Sequence, residues 1–300
     1  METTPTAPFA GRTVRRVGYG ALQLERLHDR RGEAVALLRR AVELGVDHVD
    51  TAEFYGSGFA NAVIREALRP EDGVLVVTKV GADPDPGGRL PLRLAQRPEQ
   101  LRASVEDNLR SLGVEQLQVV NLRRLDSGPG LRPEGDQVVD LDDQLAVMTA
   151  LRDEGKIGAI GLSSVTLAGL RRALPAGIAC VQNAYSLVAR DDEDVLRLCV
   201  AEGIAWVPFF PLGGAFPGLP KATGEPAVRA VAASLGVTPA QVGLAWLLHH
   251  APNVLLIPGT ADAAHVEANM AAAAITFDDA TLATLDAVES RATDVPIGAE

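Results

Sequence analysis

Short runs dominated by valine, leucine and isoleucine alternate along the chain with longer stretches in which apolar residues recur every three or four positions. The short runs have the length and β-branched content of strands covered on both faces, and the longer ones have the period of helices with one buried stripe. Strands are predicted at Arg15–Gly20, Asp47–Thr51, Val74–Lys79, Leu117–Leu122, Ala159–Ser163, Ile178–Asn183, Ala205–Phe209 and Val254–Ile257. Helices are predicted at Gly32–Leu44, Arg97–Leu112, Leu141–Glu154, Asp191–Ala201 and Pro239–His249. Gly45, Gly113, Gly155 and Gly203 follow four of them, where a helix C-cap calls for left-handed backbone.

Strand-then-helix alternation is the pattern of a parallel sheet built from βαβ units, and eight such units favour a closed (β/α)8 TIM barrel over an open doubly wound sheet. The expected fold is therefore α/β, with residues 1–300 forming a single barrel domain and residues 1–13 a flexible N-terminal segment. Two connections rich in Gly and Pro, Arg123–Asp140 and Pro211–Pro226, are longer than the rest and suit lids or binding loops. The alanine run Ala271–Ala274 is the end of a helix.

With 300 residues and 47% hydrophobic content the chain can bury one large core. Against 39 acidic residues stand 28 basic ones, a formal charge of −11, which argues against a nucleic-acid partner because phosphate backbones are held by clustered Lys and Arg. Met1–Arg16 has Pro and Thr where a signal peptide needs an apolar stretch, and no run of about 18 apolar residues occurs, so the reading is a cytoplasmic protein without a membrane partner. Cys180 and Cys199 both fall in apolar runs and read as reduced core residues. His28, His48, His249 and His250 lack the spacing of metal ligands, so no metal site is expected. Oligomeric state is not fixed by the sequence.

On a (β/α)8 barrel, chemistry sits at the C-terminal ends of the strands. The second strand runs into Asp50-Thr51-Ala52-Glu53-Phe54-Tyr55-Gly56 and the third ends at Lys79, so an acid, a phenol and an amine emerge side by side. A phenol keeps its proton up to a pH near ~10 and can hand it to a developing alkoxide. A lysine about 4 Å away at an effective dielectric near 20 interacts with the phenolate by roughly 4 kcal/mol, enough to draw the Tyr55 pKa down toward working pH, and Asp50 would keep that lysine charged. The trio is a proton donor of the kind hydride transfer to a carbonyl requires. The same residue types also occur as ordinary strand-end side chains. A hydrolase using Asp50 and Glu53 is disfavoured, because carboxylates of a glycosidase pair come from different strand ends, ~5 to 9.5 Å apart, and these share one short loop.

The stretch Asp50 to Gly56, Lys79, Val181-Gln182-Asn183-Ala184-Tyr185, and Ile257-Pro258-Gly259-Thr260 followed by Asn269 resemble the aldo-keto reductase superfamily, with similarity running from Val14 to about Asp286. The resemblance implies a barrel that binds NADPH at its C-terminal face without a Rossmann glycine fingerprint, and a small-molecule carbonyl substrate. Asp50, Tyr55 and Lys79 match three places of the family's catalytic tetrad. The fourth place, usually His, holds Arg123 within Asn121-Leu122-Arg123-Arg124-Leu125-Asp126. A guanidinium stays charged and donates hydrogen bonds without accepting, which suits it to orienting a carbonyl oxygen or an anionic group. The alternative for Arg123 is a surface ion pair with Asp126.

On matching positions, Ser163, Ser164 and Gln182 should face the nicotinamide carboxamide, with Phe209 against the ring and Phe210 a core aromatic. Gly259, Thr260, His265 and Asn269 match the segment that holds the adenosine end, and backbone N–H groups at the helix start near Asp262 suit a phosphate whatever the side chains are. Where many NADPH-preferring relatives carry Arg and Glu this chain has His265 and Ala268, so NADH stays open as an alternative cofactor. Arg15-Arg16-Val17-Gly18-Tyr19-Gly20, Val119-Val120-Asn121-Leu122-Arg123 and Val207-Pro208-Phe209-Phe210-Pro211-Leu212-Gly213-Gly214 are most similar to the bacterial pyridoxal reductase group. That likeness assigns Gly20, Pro211, Leu212 and Gly213 to the cofactor cradle and implies reduction of pyridoxal to pyridoxine. Reduction of another aldehyde, sugar or secondary-metabolite ketone is the rival within catalysis, and a catalytically weak cofactor-binding redox sensor is the rival of another class.

Overall fold

A computed structural model describes residues 5–88, 90–214 and 219–292. Its centre is a parallel sheet of β3 (Tyr19–Gly20), β4 (His48–Asp50), β5 (Leu75–Val80), β8 (Leu117–Arg123), β9 (Ile157–Ser163), β10 (Ile178–Gln182) and β11 (Ala205–Trp206), in that spatial order. The expected eighth strand is present as residues 254–256, which pair through single bridges, Val254 with Trp206 and Leu256 with Val17. Leu255 N–H donates to Trp206 O at 2.8 Å and Gly18 N–H to Leu256 O at 2.8 Å, so the sheet closes on itself as a (β/α)8 barrel. The seam is thinner than eight full strands would make it. Arg16 reinforces it with a guanidinium bond from Nε to Val254 O at 3.0 Å.

Outside lie α1 (Arg31–Glu43), α2 (Phe59–Ala67), α3 (Pro98–Leu112), α4 (Leu141–Asp153), α5 (Leu167–Ala173), α6 (Glu193–Glu202), α7 (Pro226–Leu235), α8 (Pro239–His250), α9 (Ala263–Ala271) and α10 (Asp279–Asp286). The five helices predicted from periodicity all form, within two residues of their expected ends. Gly113 and Gly203 cap α3 and α6 at φ +70° and +66°, a backbone setting that costs a side chain but not glycine. Ala272–Ala274 tightens into a 3-10 turn that ends α9. Among the described residues no single helix is long and apolar enough to cross a membrane.

Residues 5–13 are not the flexible segment that sequence suggested. They belong to an antiparallel hairpin of β1 (Thr6–Phe9) and β2 (Arg12–Arg15), turning at Ala10 and Gly11. Its inward residues Ala7, Phe9 and Val14 cluster with Leu75, Val77, Val119, Cys180, Ala205, Val207, Leu255 and Ile257, closing the bottom of the barrel. Burial of three apolar side chains supplies the free energy that orders this stretch. Phe9→Ala is accordingly expected to cost about 3–5 kcal/mol of unfolding free energy, read from urea midpoints.

Two further elements were not foreseen. β6 (Ala82–Pro84) and β7 (Leu92–Leu94) form a second hairpin directly after β5, and Leu92 and Ala82 pack against Ala52, Phe54 and Tyr55 at the barrel mouth. Of the two long connections, Arg123–Asp140 carries a 3-10 turn at Gly135–Gln137. The other is pinned by a bridge between Gly213 and Lys221, with residues 215–218 outside the described set.

Candidate active site

Successive strand residues face opposite sides of a sheet, so every second residue of a barrel strand points inward. Leu75 and Val77 line the interior, which sends Lys79 inward at the end of β5; Val119 does the same for Arg123 on β8, Cys180 for Gln182 on β10, and Val207 for Phe209 beyond β11. In a parallel barrel all these ends share one rim. The apolar interior thus runs up into a polar mouth.

At its centre Lys79 Nζ donates to Asp50 Oδ2 at 2.6 Å and to the Thr51 carbonyl at 2.9 Å. Gln182 Nε2 donates to Asp50 Oδ1 at 2.8 Å, so both carboxylate oxygens are engaged. Lys79 and Asp50 are buried, and the Lys79 ammonium lies 4.8 Å from the centroid of the Tyr55 ring. The three side chains expected to work together do meet.

Their electrostatics differ from the expectation in one respect. Burial is the largest influence on the Tyr55 phenol and raises its pKa; Lys79 lowers it, but nearby Asp50 raises it again, and the net direction is up. For Lys79, burial disfavours the charged form, yet Asp50 and Tyr55 together outweigh it and hold the ammonium above its ordinary pKa. Desolvation, with Asp50 acting on the phenol as well as on the lysine, outweighs the downward pull of Lys79.

Arg123 emerges beside them. Its Cζ sits 5.4 Å from the Phe54 ring centroid, and Phe54 meets Tyr55 edge-on at 5.1 Å. Asp126 pairs with Arg124 at 3.0 Å, which removes the surface-pair alternative for Arg123. One terminal nitrogen of Arg123, Nη1, is buried with no hydrogen-bond partner. Burial pushes its pKa below the ordinary arginine value. The backbone there is fixed by Gln96, whose amide donates to Arg123 O at 2.8 Å and to Gly81 O at 2.6 Å.

Beneath the mouth runs a buried polar network that sequence reasoning missed. Thr51 donates to Asn61 Oδ1 at 2.8 Å, Asn61 and Ser111 donate to Glu53 Oε2 at 2.6 and 2.5 Å, and Thr78 donates to Asn108 Oδ1 at 2.5 Å. It ties the strand ends that carry Asp50 and Lys79 to α2 and α3. Glu53 has its pKa raised by burial and sits in this network rather than opposite Asp50. The visible signal was Ser104 and Asn108, polar residues four apart among Leu101, Val105 and Leu112 on the inward face of a predicted helix.

Ser163 and Ser164 are buried at the end of β9, Ser164 with φ at +54°, and its N–H donates to Gln182 O at 3.0 Å. Phe209 keeps part of its ring exposed and meets Phe210 edge-on at 4.9 Å; Phe210 is itself partly exposed, not the core residue expected. A partly exposed aromatic residue and buried hydroxyls on the rim that also carries Tyr55 suit a planar, amide-bearing ring such as nicotinamide.

Pro211, Leu212 and Gly213 follow Phe210 in a tight turn in which Gly213 N–H donates to Phe210 O at 2.7 Å. Gly20 has a packing reason for being glycine: a Cβ there would come within 2.5 Å of Ile257 O, and one on Gly259 within 2.7 Å of Gly20 O. The Thr260 loop is anchored by Tyr19, whose hydroxyl donates to Thr260 O at 2.6 Å. His265 is exposed, Asn269 partly buried, and Thr260 Oγ1 lies 3.5 Å from His265 Nδ1. Two of the helix-start amides are taken by Asp262, which caps α9 and accepts from Ala264 N–H at 2.7 Å and His265 N–H at 3.3 Å.

The Aldo/keto reductase family profile matches residues 16–290, and the chain belongs to that family. It is an oxidoreductase of carbonyl compounds. Pyridoxine 4-dehydrogenase of Escherichia coli strain K12 is 44% identical over 293 residues, covering 94% of this chain and 98% of that enzyme. An uncharacterized oxidoreductase of Schizosaccharomyces pombe is 32% identical over 290 residues, covering 94% and 89%. Among solved structures, an aldo-keto reductase from Klebsiella pneumoniae in complex with NADPH superposes with a TM-score of 0.78 at 27% identity, covering 95% of this chain and 94% of that one.

Proposed function

We propose that this protein reduces the aldehyde of pyridoxal to the alcohol of pyridoxine with NADPH. The reading is carried by the buried Asp50–Lys79 pair set against Tyr55, with Arg123 beside it. The 44% identity to a pyridoxine 4-dehydrogenase and the NADPH complex of the Klebsiella enzyme support its finer terms.

NADPH supplies the hydride when bound. Ser163, Ser164 and Gln182 would hold its carboxamide, Phe209 its nicotinamide face, Gly20, Pro211, Leu212 and Gly213 its middle, and Gly259, Thr260, His265 and Asn269 its adenosine end. Tyr55 gives its hydroxyl proton to the carbonyl oxygen as negative charge gathers there. Lys79 stabilises the phenolate left behind and is kept charged by Asp50, which Gln182 orients. Arg123 donates to the substrate's oxygen and steers it toward Tyr55. Because proton donation is local and electrostatic, each residue's contribution depends on exclusion of water from the mouth.

A panel of pyridoxal, simple aldehydes and sugar ketones, each with NADPH and with NADH, tests this by the loss of reduced-nicotinamide absorbance. Pyridoxal with NADPH is expected to give the highest kcat/KM. A sugar ketone preferred tenfold, or no turnover of pyridoxal, would overturn the assignment.

A further inference from the structure

The mouth of the barrel contains one cation too many. Asp50 and Lys79 neutralise each other at 2.6 Å, and Gln182 occupies the remaining carboxylate oxygen. Arg123 has no ion-pair partner among the described residues: Asp126 is held by Arg124, Asp83 accepts from Ser104 at 2.5 Å, and Glu53 accepts from Asn61 and Ser111. Its Nη1 is buried and unpartnered. Arg123 as a whole is only partly buried, and a guanidinium held beside the mouth with no counter-ion suits an anionic ligand that reaches its remaining N–H groups.

The cofactor's phosphates are not suited to that task. The segment expected to hold them follows the eighth strand position, whereas Arg123 ends β8, the fourth strand, on the opposite side of the barrel. The missing anion is therefore best supplied by the substrate. A guanidinium presents parallel N–H bonds that fit two neighbouring in-plane oxygens, and Tyr55 needs only one lone pair of the carbonyl oxygen to deliver its proton.

We infer that Arg123 makes this site selective for aromatic aldehydes that carry an ionised hydroxyl on the ring carbon next to the one bearing the aldehyde, its fork spanning the phenolate and the carbonyl oxygen. This rests on the carbonyl-reductase reading above and narrows it to a substrate class. An ortho phenolate feeds electrons into the aldehyde and makes it a poor hydride acceptor; pairing the phenolate with Arg123 draws that charge away. Carbon gains the hydride, oxygen gains the Tyr55 proton, Tyr55 is reprotonated from solvent, and the phenolate leaves as it came.

The test uses the two isomers 2-hydroxybenzaldehyde and 4-hydroxybenzaldehyde, both assayed at a pH where each phenol is ionised, so that they match in charge and in conjugation of the oxygen with the aldehyde but differ in the reach of the second oxygen. Wild-type enzyme with NADPH is expected to favour the 2-isomer in kcat/KM at least tenfold, about 1.4 kcal/mol. Arg123→Gln should bring the ratio to within twofold, and Arg123→Lys should keep part of it; NADPH fluorescence titration checks that the variants remain folded. A wild-type ratio near one, or a ratio unchanged in Arg123→Gln, overturns the inference. Absorbance titration of 2-hydroxybenzaldehyde on the NADP+ complex needs no turnover: its phenol pKa should fall by at least one unit on wild type and not on Arg123→Gln, and no fall on wild type overturns the inference equally. Pyridoxal turnover is measured separately, so failure of pyridoxal with a preserved isomer ratio sinks the pyridoxal assignment alone.

Discussion

Tyr55→Phe is expected to lower kcat for carbonyl reduction by about 10²- to 10⁴-fold, the usual worth of a positioned general acid, while leaving NADPH affinity nearly unchanged. The substitution removes one hydroxyl from a ring that is only partly buried, so folding should be little affected. Steady-state turnover and quenching of cofactor fluorescence, measured on the same preparation, check both halves. The wild-type pH profile adds a second constraint. The donor works while protonated, and burial raises the Tyr55 pKa above its ordinary value, so reduction should stay level through neutral and moderately alkaline pH and decline only above about 10. An alkaline limb well below that would mean Lys79 dominates the phenol after all.

Lys79→Met should do damage of two kinds. It leaves the Asp50 carboxylate buried with only Gln182 as donor, and removing one partner of a buried ion pair costs about 3–5 kcal/mol of stability. It also takes away the positive charge that stabilises the phenolate, so kcat should fall on the order of 10²- to 10³-fold even where the variant is folded. Urea unfolding separates the effects: Tyr55→Phe is expected to hold its midpoint and Lys79→Met to lose it. Equal midpoints would show that the pair contributes little to folding.

The strand-helix alternation was legible because each barrel strand is apolar on both faces and each helix has a single buried stripe. Lys79 could be placed at the rim from sequence because it ends a predicted strand, whereas Arg123 and Gln182 were placed by the family resemblance; in the structure all three continue the inward-facing rows of Val77, Val119 and Cys180. What escaped were features decided by tertiary contact. The hairpin of β1 and β2 is too short to announce itself by periodicity, and its order comes from docking Phe9 into the barrel. The Tyr55 pKa direction hinged on burial, which no local pattern reveals. Asp262 reads equally well as a phosphate-adjacent residue or as a cap, and only coordinates show its carboxylate on the Ala264 and His265 amides.

The closed floor of the barrel also bears on the order in which the molecule is completed. Phe9 is synthesised ahead of the surfaces it docks on, which come from Leu75, Val119, Cys180 and finally Leu255 and Ile257. The hairpin must wait for the closing barrel strand before all its contacts exist, and until then its apolar side chains lack part of their cover on the nascent chain.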